Sequence, residues 1–315
     1  MTIWVECRML NDLKLLELFV RVARLGAIGK AGAEFGISPT SATQRIQSLE
    51  TAIGARLLHR TTRSVCLTSE GERLLHHAEN ILESVQDAVL DVRRDDQALR
   101  GTLRVAGPAS FGRKFIAPLV TRFLSCHPDL SVQLHLSDAL FDIVENGFDC
   151  AIRLGDPAAS SLMAQKLAPC PRILVAAPDY LARMGRPETP QDLEGRDCVI
   201  RGAMQNWRFR DGTGKLTEVK VAGRFVTNLA EAVTEAAIQG FGIARKCAWE
   251  VQEHLASGAL TPIMPDYQIV PEWNIYLMRP PGRAEPPRVK AFRAFLTREM
   301  VEIPGLSPDL PPAAP

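Results

Sequence analysis

At 315 residues, 46% apolar and 23% charged, the sequence has the balance of a folded globular chain of two or three domains, which excludes a disordered or fibrous one. The formal charge is only +1, yet residues 1–68 carry nine Lys and Arg against five Asp and Glu, while the remainder carries 28 against 31. A basic head on a mildly acidic body suits a head that meets phosphates. The seven cysteines (Cys7, Cys66, Cys126, Cys150, Cys170, Cys198 and Cys247) are odd in number and scattered, with no C-x-x-C pair. That spacing argues against a disulfide framework and against a zinc site, and points to a reducing compartment. No signal-peptide pattern and no run of about 18 apolar residues is present, so the expectation is a cytoplasmic protein without a membrane partner.

Leu16, Phe19, Val20 and Ala23 fall at helical spacing and predict a helix over 12–24. A second, short helix over 28–35 is expected to stop at Gly36, a residue suited to the left-handed position after a helix end. Ser38 is a good N-cap and Pro39 fits the first helical position, so a third helix is expected from Pro39 to about Ala52. Two helices joined by a short glycine-containing turn make a helix-turn-helix. On the third helix Ala42, Ile46, Leu49 and Ile53 form one side, which is the core side. The opposite face is Thr40, Thr43, Gln44, Gln47 and Thr51, all neutral hydrogen-bonding residues where a merely solvated helix would carry Lys and Glu.

Two apolar stretches, Leu57-Leu58 and Val65-Cys66-Leu67, bracket residues 59–64 as a small hairpin would. Its tip carries Arg60, Thr61, Thr62 and Arg63, cationic forks and hydroxyls that suit phosphates or a narrow minor groove. Thr68 can cap a long helix reaching about Arg94. There Leu75, Ala78, Leu82, Val85, Val89 and Val92 repeat as a heptad seam, for which a second copy of the same helix is the expected partner. His76, His77 and Glu79 on this helix lack further ligands at matching spacing and read as solvated residues.

Beyond a hinge, the pattern becomes alternating strands and helices. Strands are expected over 102–107, 132–136, 150–154, 172–176, 198–201, 223–227 and 242–244, with a hairpin around Asp211-Gly212-Thr213-Gly214. Helices are expected over 111–125, 139–146, from Tyr180, and over 229–239. This alternation implies parallel sheets flanked by helices, an α/β fold.

At Leu18-Phe19-Val20, Phe35-Gly36-Ile37-Ser38-Pro39, Leu49-Glu50, Gly54-x-Arg56-Leu57-Leu58-x-Arg60-Thr61-Thr62-Arg63 and Leu67-Thr68-x-x-Gly71, the chain resembles a LysR-type transcriptional regulator. The similarity extends through Ser110-Phe111-Gly112, Gly147-Phe148-Asp149, Ala151-Ile152-Arg153, Trp207-x-Phe209 and Gly240-x-Gly242-Ile243-Ala244. It departs at the second helix, where two glycines and Lys30 in Ala27-Ile28-Gly29-Lys30-Ala31-Gly32 replace the usual Ser-Phe-(Ser/Thr)-x-Ala-Ala. It departs again at Gln44, where Arg or Lys is common.

The resemblance implies a winged helix-turn-helix DNA-binding domain over 1–68, a dimerising linker helix over 69–95 and a hinge over 96–101. Behind them it implies an effector-binding domain over 102–302, folded like a periplasmic solute-binding protein, and the Pro-rich tail 303–315 is expected to be disordered. The two lobes of that domain would be 102–167 plus 275–302, and 168–274. DNA contacts are expected from Lys30, Ser38, Thr40, Ser41, Thr43, Gln44, Arg45, Gln47, Arg60, Thr61, Thr62 and Arg63, and dimer contacts from Leu75, Leu82, Val85 and Val89. A small organic acid is the expected effector, held by Ser110, Phe111, Arg153, Trp207 and Asn228. Ser110 and Asn228 are taken to start two helices whose free N–H groups would face the anion, with Glu231 completing a capping box. The implied partners are double-stranded DNA, a second copy in a homodimer or homotetramer, and RNA polymerase for an activator.

No catalytic residue, metal or cofactor is expected. An enzyme finds no motif here, since Gly240-Phe241-Gly242 lacks the third glycine of a dinucleotide fingerprint. A carrier of solutes is disfavoured by the DNA-binding head.

Overall fold

The computed structural model describes residues 13–60, 65–93, 99–139, 143–144, 146–157, 162–281 and 285–306, and of residues 60, 83 and 86–93 the backbone alone. The chain divides near Gly101 into two compact units.

The first unit holds α1 (Leu13–Leu25), α2 (Ile28–Glu34), α3 (Pro39–Ile53), the strands β1 (Leu58–Arg60) and β2 (Val65–Leu67), and α4 (Ser69–Arg93). Its core joins Leu16, Phe19 and Val22 of α1 to Ala42, Ile46 and Leu49 of α3, with Leu57 from the wing and Ala78 from α4. Local chemistry sets each boundary. Gly36 takes φ +66° after α2. The Ser38 hydroxyl accepts the Ser41 N–H at 3.2 Å, and Gly54 closes α3 in the left-handed conformation. Thr68 Oγ1 accepts the Gly71 N–H at 2.9 Å to start α4 and donates to the Arg56 carbonyl at 2.6 Å.

The glycines of α2 are not equivalent. A Cβ on Gly32 would lie 2.8 Å from Ala42 Cβ, whereas one on Gly29 would meet nothing closer than Pro39 at 3.8 Å. Gly32 therefore lets α2 and α3 approach, and its low helix propensity is offset by that contact. Gly29→Ala should stabilise the head by about 0.5–1 kcal/mol, the usual gain over glycine in a helix. Gly32→Ala should destabilise it by roughly 1–3 kcal/mol, because a methyl on the neighbouring helix cannot swing aside. Thermal melts of the pair check this, and the reverse ranking would mean that the two helices separate freely.

The second unit is built on two five-stranded sheets, called lobes I and II here. Lobe I contains β3 (Gly101–Gly107), β4 (Leu130–Leu136), β5 (Cys150–Gly155), β6 (Met163–Pro169) and β15 (Asn274–Arg279), in the order β4-β3-β5-β15-β6. Lobe II contains β7 (Arg172–Ala176), β8 (Asp197–Arg201), β11 (Ala222–Thr227), β12 (Ile243–Cys247) and β13 (Thr261–Ile263), in the order β11-β8-β12-β7-β13. A smaller sheet, β10-β9-β14, comes from the hairpin β9 (Asn206–Arg210) and β10 (Leu216–Lys220) with β14 (Gln268–Val270). The helices are α5, which runs through Ala109–Phe111, a π-helical turn Gly112–Ile116 and Ala117–Ser125, then α6 (Pro178–Met184), α7 (Ala230–Ile238), α8 (Ala248–Ala256) and α9 (Pro287–Glu299).

The sheets are mixed, which corrects the expectation of parallel ones. The pairs β3–β5, β11–β8 and β12–β8 are parallel, but β15 runs antiparallel to β5 and β6, and β7 antiparallel to β12 and β13. The chain leaves lobe I by β6 and returns by β15, so β15 enters from the opposite end. The helix expected over 139–146 is not formed in its described part, since 143–144 and 146–147 are turns and 140–142 and 145 lie outside the described residues.

The expected disordered tail also needs correction at its start. Leu306 is buried, and Gly305 passes so close to Trp249 that a Cβ would sit 2.8 Å from its backbone. An apolar side chain after the last helix has found the core; residues 307–315 lie outside the described ones. Among the described residues no helix is long and apolar enough to cross a membrane.

Candidate functional site

On α3 the core side is closed and the other side is open. Ala42, Ile46 and Leu49 are fully buried, while Thr40, Gln44, Arg45, Gln47 and Thr51 are exposed and Ser41 and Thr43 half-buried. The Thr51 hydroxyl is occupied, donating to the Gln47 carbonyl at 2.8 Å. Gln44 and Gln47 thus stand one helical turn apart on an open face, each offering an amide donor and acceptor. Lys30 is exposed on α2, and Ser38 is exposed with its hydroxyl engaged as the cap.

The wing is a two-stranded antiparallel ribbon that pairs Leu58 with Leu67 and Arg60 with Val65. Arg60 is the last residue of β1; Thr61, Thr62 and Arg63 lie outside the described residues. Val65 N–H donates to the Gly26 carbonyl at 3.2 Å, which ties the ribbon to the end of α1.

Sequence reasoning missed the role of Glu50. It is 8% exposed, and its Oε1 accepts the N–H groups of Leu57 at 2.9 Å and Leu58 at 3.2 Å. A carboxylate near the end of α3 thereby positions the first wing strand. Gly71 completes the joint, since a Cβ there would lie 2.1 Å from the Leu57 carbonyl oxygen. Spacing alone marks neither residue.

The dimerisation candidates separate into two groups. Leu75 and Leu82, with Leu74, pack half-buried against the core of their own head. Ile81 and Val85 are exposed, at 41% and 39%. The Val89 side chain lies outside the described ones.

In the second unit the five expected effector residues do not all line one cavity. Phe111 is fully buried, with its ring 5.1 Å from those of Phe115 and Trp249, so it is a packing residue. Arg153 is half-buried on β5, and burial lowers its pKa. Asn228 is exposed and does not cap α7; Leu229 holds the N-cap position without a side-chain bond, and the expected box with Glu231 is not formed. Ser110 lies inside α5 rather than at its cap. The first turn is bound instead by Asp138, whose Oδ1 accepts the Ala109 N–H at 3.0 Å. The Glu231 carboxyl lies below its usual range, first through the nearby Ser110 hydroxyl, which is buried without a hydrogen bond among the described residues, and then through Arg113 at 3.7 Å.

Among the described residues, two cavities of this unit take in expected effector residues. Ser110 lines one with Arg113, Lys114, Glu231, Glu235 and Glu253, a region of mixed charge that includes the 2.8 Å Lys114–Glu253 pair. Trp207 lines the other, a narrow half-enclosed space that opens to solvent. Its wall is cationic: Arg172, Arg201, Arg245 and Lys246 all reach it. Lys246 is nearly fully buried and satisfied, donating to Glu250 at 2.9 Å and to the Ala230 carbonyl at 2.7 Å, while Glu250 also accepts the Cys247 N–H to cap α8. Arg172 and Arg245 are both depressed to about 10, first by burial. The available signal was Arg245-Lys246, two adjacent cations inside a short strand that α/β architecture buries on both faces.

Known proteins carry the same pair of units. Residues 13–72 match the family model for the bacterial regulatory helix-turn-helix protein of the lysR family, and residues 96–301 match the LysR substrate binding domain. The HTH-type transcriptional regulator DmlR of Escherichia coli K12 is 36% identical over 279 residues, covering 86% of this chain and 89% of that protein. The transcriptional activator TtdR of the same strain is 34% identical over 266 residues, covering 83% and 86%. Among solved structures, the full-length virulence activator AphB of Vibrio cholerae is 26% identical at a TM-score of 0.56, covering 90% of this chain and 98% of that one. CrgA of Neisseria meningitidis, a LysR-type transcriptional regulator, is 25% identical at a TM-score of 0.57, covering 91% and 98%.

Proposed function

Since the chain belongs to the LysR family of bacterial transcriptional regulators, with a DNA-binding head and an effector-binding domain and no enzymatic role, we propose how it does the work of that family. It binds an operator as a dimer or tetramer, with α3 in the major groove and the wing arginines Arg60 and Arg63 on the backbone or in the minor groove. A small organic anion entering the second unit changes its hold on DNA. The observation that carries this reading is the open neutral face of α3, where side chains with both donors and acceptors stand clear of the core. Base edges in the major groove present that same mixture. The cationic wall around Trp207 supports an anionic effector. Ligand binding that favours one angle between the lobes would shift the population of DNA-binding states.

Lys30, exposed on α2, is assigned to a phosphate. Lys30→Ala should weaken binding to operator and random duplex alike and reduce the slope of log affinity against log salt by about one. Titrations of both duplexes over a salt series measure it. An unchanged slope would remove α2 from the interface, and equal affinity of the intact protein for every duplex would remove specific operator binding altogether.

A further inference from the structure

Arg172 begins β7 and Arg245 lies in the middle of β12, 73 positions later in the sequence. The antiparallel ladder sets Cys247 opposite Arg172 and Arg245 opposite Leu174, so the two arginines are diagonal neighbours on one face of the sheet. Each rests on an indole: the Arg172 guanidinium lies 4.4 Å from the Trp273 ring centre, and that of Arg245 lies 5.1 Å from Trp207. Both open into the cavity around Trp207.

The carboxylates near this cavity are already engaged. Glu250 holds Lys246, and Asp138 lies 3.4 Å from Arg201. Among the described residues no ion pair reaches Arg172 or Arg245. Arg172 donates to the Pro271 carbonyl, and Arg245 to the Met204 sulfur at 3.6 Å. Burial lowers both, and the positive charge of Arg172 lowers Arg245 further. Each guanidinium still carries its charge at neutral pH, so two like charges face a half-enclosed space with no counter-ion among the described residues. Such a cost is relieved by a ligand of opposite charge.

We propose that Arg172 and Arg245 form the recognition pair for a short aliphatic dicarboxylate, one carboxylate on each guanidinium, with the two indoles holding the forks in place. This rests on the reading that the cavity is the effector site. A planar guanidinium matches a carboxylate bidentately, and a monoanion would leave one of the two charges unmatched. The cavity has an open mouth and is narrow within, which suits a short chain rather than a ring system.

The test uses the full-length protein at constant ionic strength, titrated calorimetrically with malonate, succinate and glutarate, and with butyrate and inorganic phosphate as controls. The expected result is saturable binding of at least one dicarboxylate, at least tenfold tighter than butyrate or phosphate. Arg172→Met and Arg245→Met should each weaken that binding more than tenfold, and Arg245→Lys, which keeps the charge without the fork, should fall between. Ligand-free Arg245→Met should melt no lower than the parent, because one of two repelling charges is gone. The proposal is overturned if no dicarboxylate binds, if butyrate or phosphate binds as tightly, if either Met variant binds like the parent, or if Arg245→Met lowers the melting temperature. Operator affinity, measured separately, distinguishes the two ideas. Dicarboxylate binding that leaves operator affinity unchanged retains the site and removes the effector reading. A different compound that changes operator affinity while no dicarboxylate binds does the reverse.

Discussion

Val85→Asp is expected to yield a folded monomer that no longer holds its operator. At 1.5 Å per residue, the 25-residue α4 extends for about 37 Å, far beyond what one small head can cover. Its first half is covered, since Ala78 is fully buried in the head and Leu74, Leu75 and Leu82 pack against the same core. Beside and beyond that cover, Ile81 and Val85 stand exposed. A second α4 is the simplest partner for these side chains, by the geometry of heptad packing. A charge at Val85 would be desolvated in that seam without a partner and would separate the chains. A separated head reads one half-site, and losing the second costs roughly 10²–10⁴-fold in occupancy. Sedimentation and a mobility-shift titration measure the two parts of the effect, and an intact dimer in Val85→Asp would discard the seam. Leu75→Asp cannot serve instead. It would put a charge into the head core and unfold the domain, so loss of DNA binding there would say nothing about dimers.

The second large effect is expected at Gln44. Its amide can donate to adenine N7 and accept from adenine N6 in the bidentate arrangement, whereas Arg and Lys prefer guanine. With Gln47 one turn away and equally exposed, the half-site should be A·T-rich where α3 reaches. Thr40 and Thr43 can meet a phosphate, either base edge or a thymine methyl. Arginines on the wing would favour the narrow minor groove of A-tracts as well. Gln44→Ala should cost about 1–3 kcal/mol on the selected operator and little on random DNA, since a base contact carries specificity and a phosphate contact does not. Selection from random duplexes checks it. A G·C-rich half-site, or the same motif recovered with Gln44→Ala, would place α3 in another register.

Much of the head was legible because its signals are local. The Ser38-Pro39 start, the left-handed Gly36 and Gly54, and the Thr68 cap each act over three or four residues, and each occurs where the residue types demand it. The open face of α3 follows from helical periodicity, which needs no knowledge of the rest of the chain. The βα alternation of the second unit was legible for the same reason, strand by strand.

Only the tertiary structure decided what depends on distant partners. Strand direction in the two sheets turns on where the chain re-enters lobe I, so β15 came out antiparallel although its own residues are ordinary strand formers. Asn228 has the chemistry of a cap, yet α7 starts one residue too late for it and Leu229 takes the place; at α5, Asp138 from another loop does what Ser110 was expected to do. Phe111 sits beside Ser110 in sequence but enters a ring cluster with Trp249, which no local pattern announces. Glu50 is an ordinary polar residue until the wing brings two unpaired N–H groups to it. Arg172 and Arg245 become a pair only through the β7–β12 ladder, and that neither meets a carboxylate among the described residues is visible only in the folded chain. Caps and periodicity are set by hydrogen bonds and dihedrals within one turn of chain. Convergence of charges across many residues is set by sheet order, which the chain settles only when its whole core is buried.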